Sequence, residues 1–155
     1  MLLTSLVDSF FIYLESEKNM ARFTIKSYNS DWMDFFNFLE NRMKFDLSSL
    51  AIHKIDHNVI RKYLVYLNEK GLAKNTAARR LAALRSFYRY LLKKEIIVHN
   101  PLQHVSTPKI PKKLPKYLEQ KEMARVLDQP SGSEKAGARD KALLELLYGA
   151  GIRVG

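Results

Sequence analysis

Apolar residues recur every three or four positions through most of the first 98 residues, and this periodicity limits the fold more than any other sequence feature. Such spacing lines one face of an α-helix. The clearest example lies in residues 24–42, where the apolar face carries Ile25, Tyr28, Trp32, Phe35, Phe36 and Leu39. We predict a helix in this segment, with Thr24 as its N-cap.

Two neighbouring segments share the pattern. An earlier helix is predicted to begin at about Leu3 and to end near Asn19, where the spacing is lost. A later helix is predicted to start after Asp56, because an aspartate carboxylate accepts N–H groups of the first helical turn. It should stop at Gly71, since glycine adopts the left-handed conformation that ends many helices.

A fourth helix is predicted to open at Asn75 or Thr76 and to run to about Glu95. Its apolar side carries Leu81, Leu84 and Tyr88. Four helices within residues 1–98 predict an all-α fold, namely a compact bundle of four helices or slightly more.

The sequence changes character at residue 99, where prolines alternate with lysines. This segment contains Pro101, Pro108, Lys109, Pro111, Lys112, Lys113, Pro115 and Lys116. Proline fixes φ and removes a donor, so we expect residues 99–117 to form an extended linker. Residues 118–155 carry two short helical segments, at about 119–127 and 138–148, which are too small for a core of their own. We therefore expect them to begin a second domain.

The net charge of +10 comes from 26 Lys and Arg against 16 Asp and Glu, and it is concentrated in one stretch. Residues 74–116 hold eleven basic residues and one acid, Glu95, and so account for the whole excess. A concentrated basic block is typical of a polyanion partner, above all nucleic acid. An anionic lipid surface, an acidic protein and an ordinary solvated face remain alternatives.

The fourth helix carries most of the candidate nucleic-acid contacts. Arg79, Ser86 and Lys93 follow one another at intervals of seven, opposite the apolar side, and Arg80 and Arg85 flank them. A basic helical face without acids suits a helix in a DNA major groove. The candidate DNA-binding residues are Lys26, Ser27, Ser30, Lys74, Asn75, Thr76, Arg79, Arg80, Arg85, Ser86, Arg89, Lys93, Lys109, Lys112 and Lys113.

Several classes of function lack support in the sequence. Without cysteine there is no disulfide, thiolate zinc site or cysteine nucleophile. His53 and His57 have the i, i+4 spacing of a zinc pair, but no third ligand pattern follows, so we expect no metal and no cofactor. The aromatic residues could stack on bases, although their helical spacing favours core packing.

The N-terminal segment and the hydropathy pattern bear on where the protein works. No run approaches the roughly 20 apolar residues that cross a bilayer. Asp8 stands where a signal peptide would be basic. We therefore expect a cytoplasmic protein.

A family resemblance accompanies these patterns. The residues that carry it are Asn75, Thr76, Arg79, Arg80, Leu81, Leu84, Arg85, Phe87, Tyr88, Leu91, Asn100 and Pro101, followed by Leu114, Pro115, Leu118, Arg139, Asp140, Ala142, Leu143, Leu144, Leu147, Tyr148, Gly151, Ile152, Arg153 and Val154. Together they resemble the core-binding domain and the start of the catalytic domain of tyrosine recombinases, especially the Xer-type and phage-integrase-like enzymes of bacteria.

The resemblance implies a SAM-like helical bundle that forms one side of a C-shaped clamp on duplex DNA. In this family the second and fourth helices face the major groove. The reaction needs no metal or cofactor, passes through a 3′-phosphotyrosyl intermediate and takes place in a tetramer of the same or paralogous recombinase subunits. On this basis residues 1–98 would be the DNA-binding domain, 99–117 the linker and 118–155 a truncated N-terminal part of the catalytic domain.

The resemblance also assigns a role to Arg153. It matches the first arginine of the catalytic set, whose guanidinium holds the scissile phosphate. The later members of the set, including the tyrosine nucleophile, have no counterpart in this sequence, and Tyr148 precedes Arg153. We therefore expect this chain to bind DNA without cutting it. A naturally short DNA-binding or regulatory protein, or a helical module for an acidic partner, is the alternative.

Overall fold

The first two-thirds of the chain form four α-helices in the computed structural model, which describes residues 1–107, 117–130 and 135–153. These helices are α1 (Leu3–Ser16), α2 (Arg22–Asn41), α3 (His57–Glu69) and α4 (Lys74–Lys93). A short 3₁₀ turn, Ile52–Lys54, precedes α3. Within the described ranges there is no strand, only an isolated bridge between Leu2 and Ala51. The predicted all-α fold is confirmed.

Local sequence signals correctly marked both ends of α3. The Asp56 carboxylate accepts a hydrogen bond from the Val59 N–H at 2.9 Å, as expected of an N-cap. At the other end Gly71 has a φ of +65°, the left-handed conformation that closes the helix. The predicted cap and stop of this helix are therefore confirmed.

The predicted starts of α2 and α4 are wrong by one to three residues. α2 begins at Arg22 after an Ala21 cap, and the Thr24 N–H bonds to the Ala21 carbonyl at 2.8 Å. Thr24 therefore lies inside the first turn. α4 likewise begins at Lys74 after an Ala73 cap, which places Asn75 and Thr76 in its first turn. Neither helix has a side-chain cap at its start. The nearest polar residue in the sequence was therefore a poor guide to where each helix begins.

Aromatic side chains fill the centre of the bundle. Trp32 on α2 is 1% exposed, and its ring centroid lies 4.8 Å from that of Phe87 on α4. Phe10 of α1 lies 5.5 Å from Phe87, and Phe35 of α2 lies 4.8 Å from Tyr63 of α3. Edge-to-face pairs of this kind add specific geometry to the hydrophobic gain of burial. These aromatic residues pack in the core and offer no stacking platform to a nucleic acid.

The residues just after α4 pack on the bundle. Leu102 and Val105 are 2% and 8% exposed and belong to the same core as α1–α4. The Leu102 N–H bonds to the Asn100 side-chain oxygen at 2.9 Å, which closes a turn. The chain divides into two compact units, Met1–Pro111 and Lys112–Gly155, so the first unit includes the opening residues of the predicted linker.

The second unit contains α5 (Gln120–Leu127) and α6 (Lys135–Ala150). A reciprocal pair of hydrogen bonds between Glu119 and Glu122 caps α5. α6 is longer at both ends than the predicted 138–148, and Gly151 follows it with a φ of +60°. Neither helix has a buried residue in its described part, as expected for so few residues. None of the helices described is both long and apolar enough to cross a membrane.

Candidate nucleic-acid interface

The predicted contact residues of α4 differ in how much of each side chain reaches solvent. Lys74, Asn75, Arg79, Arg89 and Lys93 are exposed, whereas Thr76, Arg80, Arg85 and Ser86 are partly buried. A helix rises 1.5 Å per residue, so the stripe from Arg79 to Lys93 extends over about 21 Å. The sequence predicted contacts from the basic face and from its flanks, and the structure shows that only some of these side chains are exposed.

The predicted residues of α2 lie beside this stripe. Lys26, Ser27 and Ser30 are exposed on the N-terminal half of α2. Arg79 Nη1 donates a hydrogen bond to the Ser27 carbonyl oxygen at 3.4 Å. This contact places the predicted residues of the two helices next to each other, and we call the surface formed by Lys26, Ser27, Ser30, Arg79, Arg89 and Lys93 the α2–α4 face.

Two acids of α2 lie against arginines of α4, although α4 itself carries no acid. Asp31 of α2 accepts a hydrogen bond from Arg79 Nη1 at 2.5 Å. Asp34, one turn further along α2, accepts one from Arg80 Nη1 at 2.6 Å. The sequence interpretation of an acid-free fourth helix holds for α4 itself, but α2 supplies carboxylates to two of its arginines.

Burial dominates the electrostatics of Asp31, which is 3% exposed. Loss of hydration raises the pKa of this carboxyl, while the charge of Arg79, its hydrogen bond and the charge of Arg80 pull the pKa down, and the net shift is upward. Oxygen Oδ1 has no hydrogen-bond partner within the described residues, and Arg80 Nε lies 3.7 Å away. One carboxylate oxygen is therefore poorly compensated, in keeping with the raised pKa.

The third helix joins the same group of charges. The Tyr63 hydroxyl donates to Asp34 Oδ2 at 3.0 Å, and Lys70 Nζ donates to Asp34 Oδ1 at 3.2 Å. Burial, followed by the negative charge of Asp34, raises the pKa of Tyr63 well above its ordinary value, so this phenol stays protonated. Asp34 therefore links α2, α3 and α4, and the Arg80 guanidinium that it binds is 14% exposed and largely internal.

Arg85 is also occupied by an intramolecular contact. It donates to the Val105 carbonyl oxygen and to the Thr107 hydroxyl. The Arg85 guanidinium thus joins the segment after α4 to the helix through two hydrogen bonds. The helical pattern predicted Arg85 at the flank of the basic stripe, and the fold gives it a partner 20 residues further along the chain.

The remaining predicted residues lie away from this face or outside the described part. Lys109, Lys112 and Lys113 belong to residues 108–116, which are outside the described ranges. Arg153 is exposed just after the turn at Gly151. His53 and His57 are exposed as well, and the described residues contain no group of three or more side chains suited to a metal ion.

Comparison with known proteins adds a family to this geometry. The sequence model described as "Phage integrase, N-terminal SAM-like domain" matches residues 7–95, which include most of α1 and all of α2–α4. No solved structure shows a significant match to the chain.

Curated relatives match over nearly the whole chain. It is 40% identical over 148 residues to a protein named tyrosine recombinase XerC from Pelotomaculum thermopropionicum, covering 96% of this chain and 48% of that protein. The proteins of the same name from Myxococcus xanthus and Bacillus subtilis are 40% and 38% identical, with 98% and 96% of this chain and 49% and 47% of theirs covered. The chain thus spans about half the length of these relatives.

Proposed function

The chain belongs to the phage integrase family and corresponds to the N-terminal region of Xer-type tyrosine recombinases, and we propose that its four-helix bundle binds duplex DNA through the α2–α4 face. The observation that carries this proposal is the contact of Arg79 with Ser27 and Asp31, which brings exposed basic and hydroxyl groups of two helices onto one surface. Such groups bind phosphates and base edges in a groove.

The hydrogen bonds of the α4 arginines separate the predicted contact residues into two groups. Arg89 and Lys93 are exposed, and no carboxylate contacts them in the described part of the chain. Arg80 and Arg85, by contrast, direct their donors to Asp34 and to the Val105 carbonyl. We therefore assign direct DNA contacts to Arg79, Arg89 and Lys93, and a supporting role to Arg80 and Arg85.

The organisation of the chain is part of the same proposal. Residues 1–98 are proposed as the DNA-binding domain and 118–155 as the start of a catalytic domain in which Arg153 holds the scissile phosphate. The proposed linker, 99–117, begins with residues that pack on the bundle through Leu102 and Val105. An arginine is suited to holding the scissile phosphate because its planar fork binds two phosphate oxygens at once. The partners proposed for the whole protein are double-stranded DNA and further recombinase subunits, of the same or a paralogous kind, in a tetramer that exchanges strands through a 3′-phosphotyrosyl intermediate.

Binding to a dye-labelled duplex, followed by anisotropy over a series of salt concentrations, tests the proposal. The logarithm of the binding constant should fall linearly with the logarithm of the salt concentration, with a slope of about −0.9 for each phosphate neutralised. Unlabelled duplex should compete, and polyglutamate at the same charge concentration should compete poorly. Absence of binding at low salt, or equal competition by polyglutamate, would contradict a DNA-binding function and favour an acidic protein partner.

A further inference from the structure

We propose that the pocket between the end of α1 and the C-terminal half of α4 binds one backbone phosphate of the duplex, with Lys18, Ser86, Arg89 and Lys93 around it. This inference rests on the proposed function and extends the DNA-binding surface to a residue outside both α2 and α4. Lys18 lies in the turn after α1, so the helical periodicity did not identify it as a candidate contact.

The pocket has the size and lining of a small anion site. Its volume is about 340 Å³, and its apolar wall is formed by Tyr13, Leu14, Met20 and Tyr90. The polar lining consists of Lys18, Ser86, Arg89 and Lys93. Two ammonium groups, one guanidinium and one hydroxyl thus converge on a concave surface, and together they supply the donors that a phosphodiester accepts.

No carboxylate lines this pocket in the part of the chain that the structure describes. The neighbouring acid, Glu17, is paired instead with Lys94, with Oε1 and Nζ 3.2 Å apart. The ammonium group of Lys93 lies 5.7 Å from the centre of the Tyr13 ring, which orients it without neutralising its charge. Arg79 and Arg80 are paired with Asp31 and Asp34. The basic side chains that line the pocket are instead available to bind an anion from outside the protein.

Two carbonyl groups near the end of α1, those of Tyr13 and Leu14, are already paired with N–H groups of the following turn. The Tyr13 carbonyl accepts the N–H groups of Glu17 and Lys18, and the Leu14 carbonyl accepts that of Met20. Free carbonyl groups at a helix C-terminus carry partial negative charge that would repel a phosphate. Here the chain satisfies these two with its own N–H groups before it turns into α2.

The pocket lies on the same stripe of α4 as the Arg79 contact. Ser86 and Lys93 follow Arg79 by seven and fourteen residues, which is about 10 and 21 Å along the helix axis. Lys18 lies four residues before the start of α2, whose first turns carry Lys26 and Ser27. A phosphate in the pocket would therefore belong to the same stretch of duplex as the contacts on the α2–α4 face.

The test compares Lys18→Gln with Lys62→Gln, an equal change of charge at an exposed lysine on α3 that lies outside the proposed interface. Duplex binding is measured over a salt series. Lys18→Gln should weaken binding about threefold to tenfold near 100 mM salt and reduce the salt slope by about 0.9, the value for one phosphate contact. Lys62→Gln should leave the slope unchanged.

A double variant shows whether Lys18 and Arg89 share one phosphate. If they do, Lys18→Gln combined with Arg89→Gln should weaken binding by less than the product of the two separate fold-changes. Circular dichroism of each variant verifies that the helices are retained. In NMR spectra the Ser86 amide should shift when duplex is added.

The outcomes separate this inference from the proposed function. If the unmutated chain binds duplex while Lys18→Gln and Lys62→Gln act alike, DNA binding stands and the phosphate pocket is overturned. Multiplicative effects in the double variant would likewise overturn a shared phosphate. If the unmutated chain does not bind duplex at all, both the proposed function and the pocket fail.

Discussion

The buried carboxylate of Asp31 lies 2.5 Å from Nη1 of Arg79, a residue 48 positions later in the chain. Asp31 is 3% exposed, whereas nearly half of the Arg79 side chain reaches solvent. An acid beneath a half-exposed arginine holds one edge of the guanidinium and leaves the other edge for a ligand. The proposed DNA surface therefore includes an ion pair in which the acid is buried and the arginine is half-exposed.

Asp31 should make the stability of the bundle depend on pH. Because burial raises its pKa in the folded chain, ionisation opposes folding, and the contribution of this carboxyl is fullest below the ordinary aspartate pKa of about 3.9. That contribution is lost as pH rises through the folded-state value. The free energy of unfolding of the unmutated chain, relative to Asp31→Asn, should thus decrease from pH 3 to pH 7 in urea titrations. A relative stability that increases over this range would mean that Arg79 and Arg80 outweigh burial.

Arg80→Ala should destabilise the bundle by about 2–4 kcal/mol, because it leaves Asp34 and Asp31 poorly compensated in the interior. Arg89→Ala is the matched control, since its guanidinium bonds only to the Arg85 carbonyl of the same helix within the described part of the chain. Its effect should stay within about 0.5 kcal/mol. Urea unfolding at neutral pH measures both, and equal losses would contradict an internal role for Arg80.

Arg89→Gln should weaken duplex binding and lower the slope of the salt dependence by about 0.9. The expected cause is the loss of one phosphate contact from an exposed guanidinium on the α2–α4 face. Arg61→Gln, an equal change on the exposed surface of α3, serves as the control. If both variants lose the same affinity and the same salt slope, overall charge, and not the α2–α4 face, determines duplex binding.

Arg85→Lys should loosen the residues after α4 while leaving the helices intact. A single ammonium group cannot reproduce the fork that reaches both the Val105 carbonyl and the Thr107 hydroxyl. Amide hydrogen exchange near Leu102 and Val105 should therefore accelerate, whereas exchange in α1–α4 should change little. Unaltered exchange at those two residues would mean that their burial alone holds the segment in place.

Gly71→Ala should lower the stability of the bundle by about 1 kcal/mol, because a residue with a Cβ is strained at a φ of +65°. No atom lies within 4 Å of the position where the Cβ would be, so the cost is one of backbone conformation alone. Gly71→Asn should lose less, since asparagine tolerates this conformation better. Equal losses for the two variants would argue against a conformational cause.

Features encoded by neighbouring residues were predicted well. The helices follow from apolar spacing, and the ends of α3 follow from Asp56 and Gly71, whose effects depend on a few adjacent backbone groups. The starts of α2 and α4 were misplaced because Ala21 and Ala73 give no side-chain signal of a cap. A helix start was therefore predicted correctly where a side chain caps the helix, as Asp56 does for α3.

The interior of the site could not be predicted in the same way, because its partners are distant in sequence. Asp31 and Asp34 contact Arg79 and Arg80 only after α2 and α4 pack together. One signal was available, since both acids flank the buried Trp32 and have no basic residue three or four positions away on their own helix. An acid beside an apolar helix face becomes buried when the helices pack, and a buried carboxylate is costly unless a basic residue of another helix pairs with it.

The position of Trp32 has a consequence for spectroscopy. It is the only tryptophan in the sequence, it is 1% exposed, and it packs against Phe87 at the centre of the bundle. Its emission wavelength therefore reports on the opening of α1–α4 alone, because α5 and α6 contain no indole. Melting of α5 and α6 would reduce the far-ultraviolet helical signal without a red shift in emission. The two optical signals, recorded on one sample, separate the unfolding of the two units without any label or mutation.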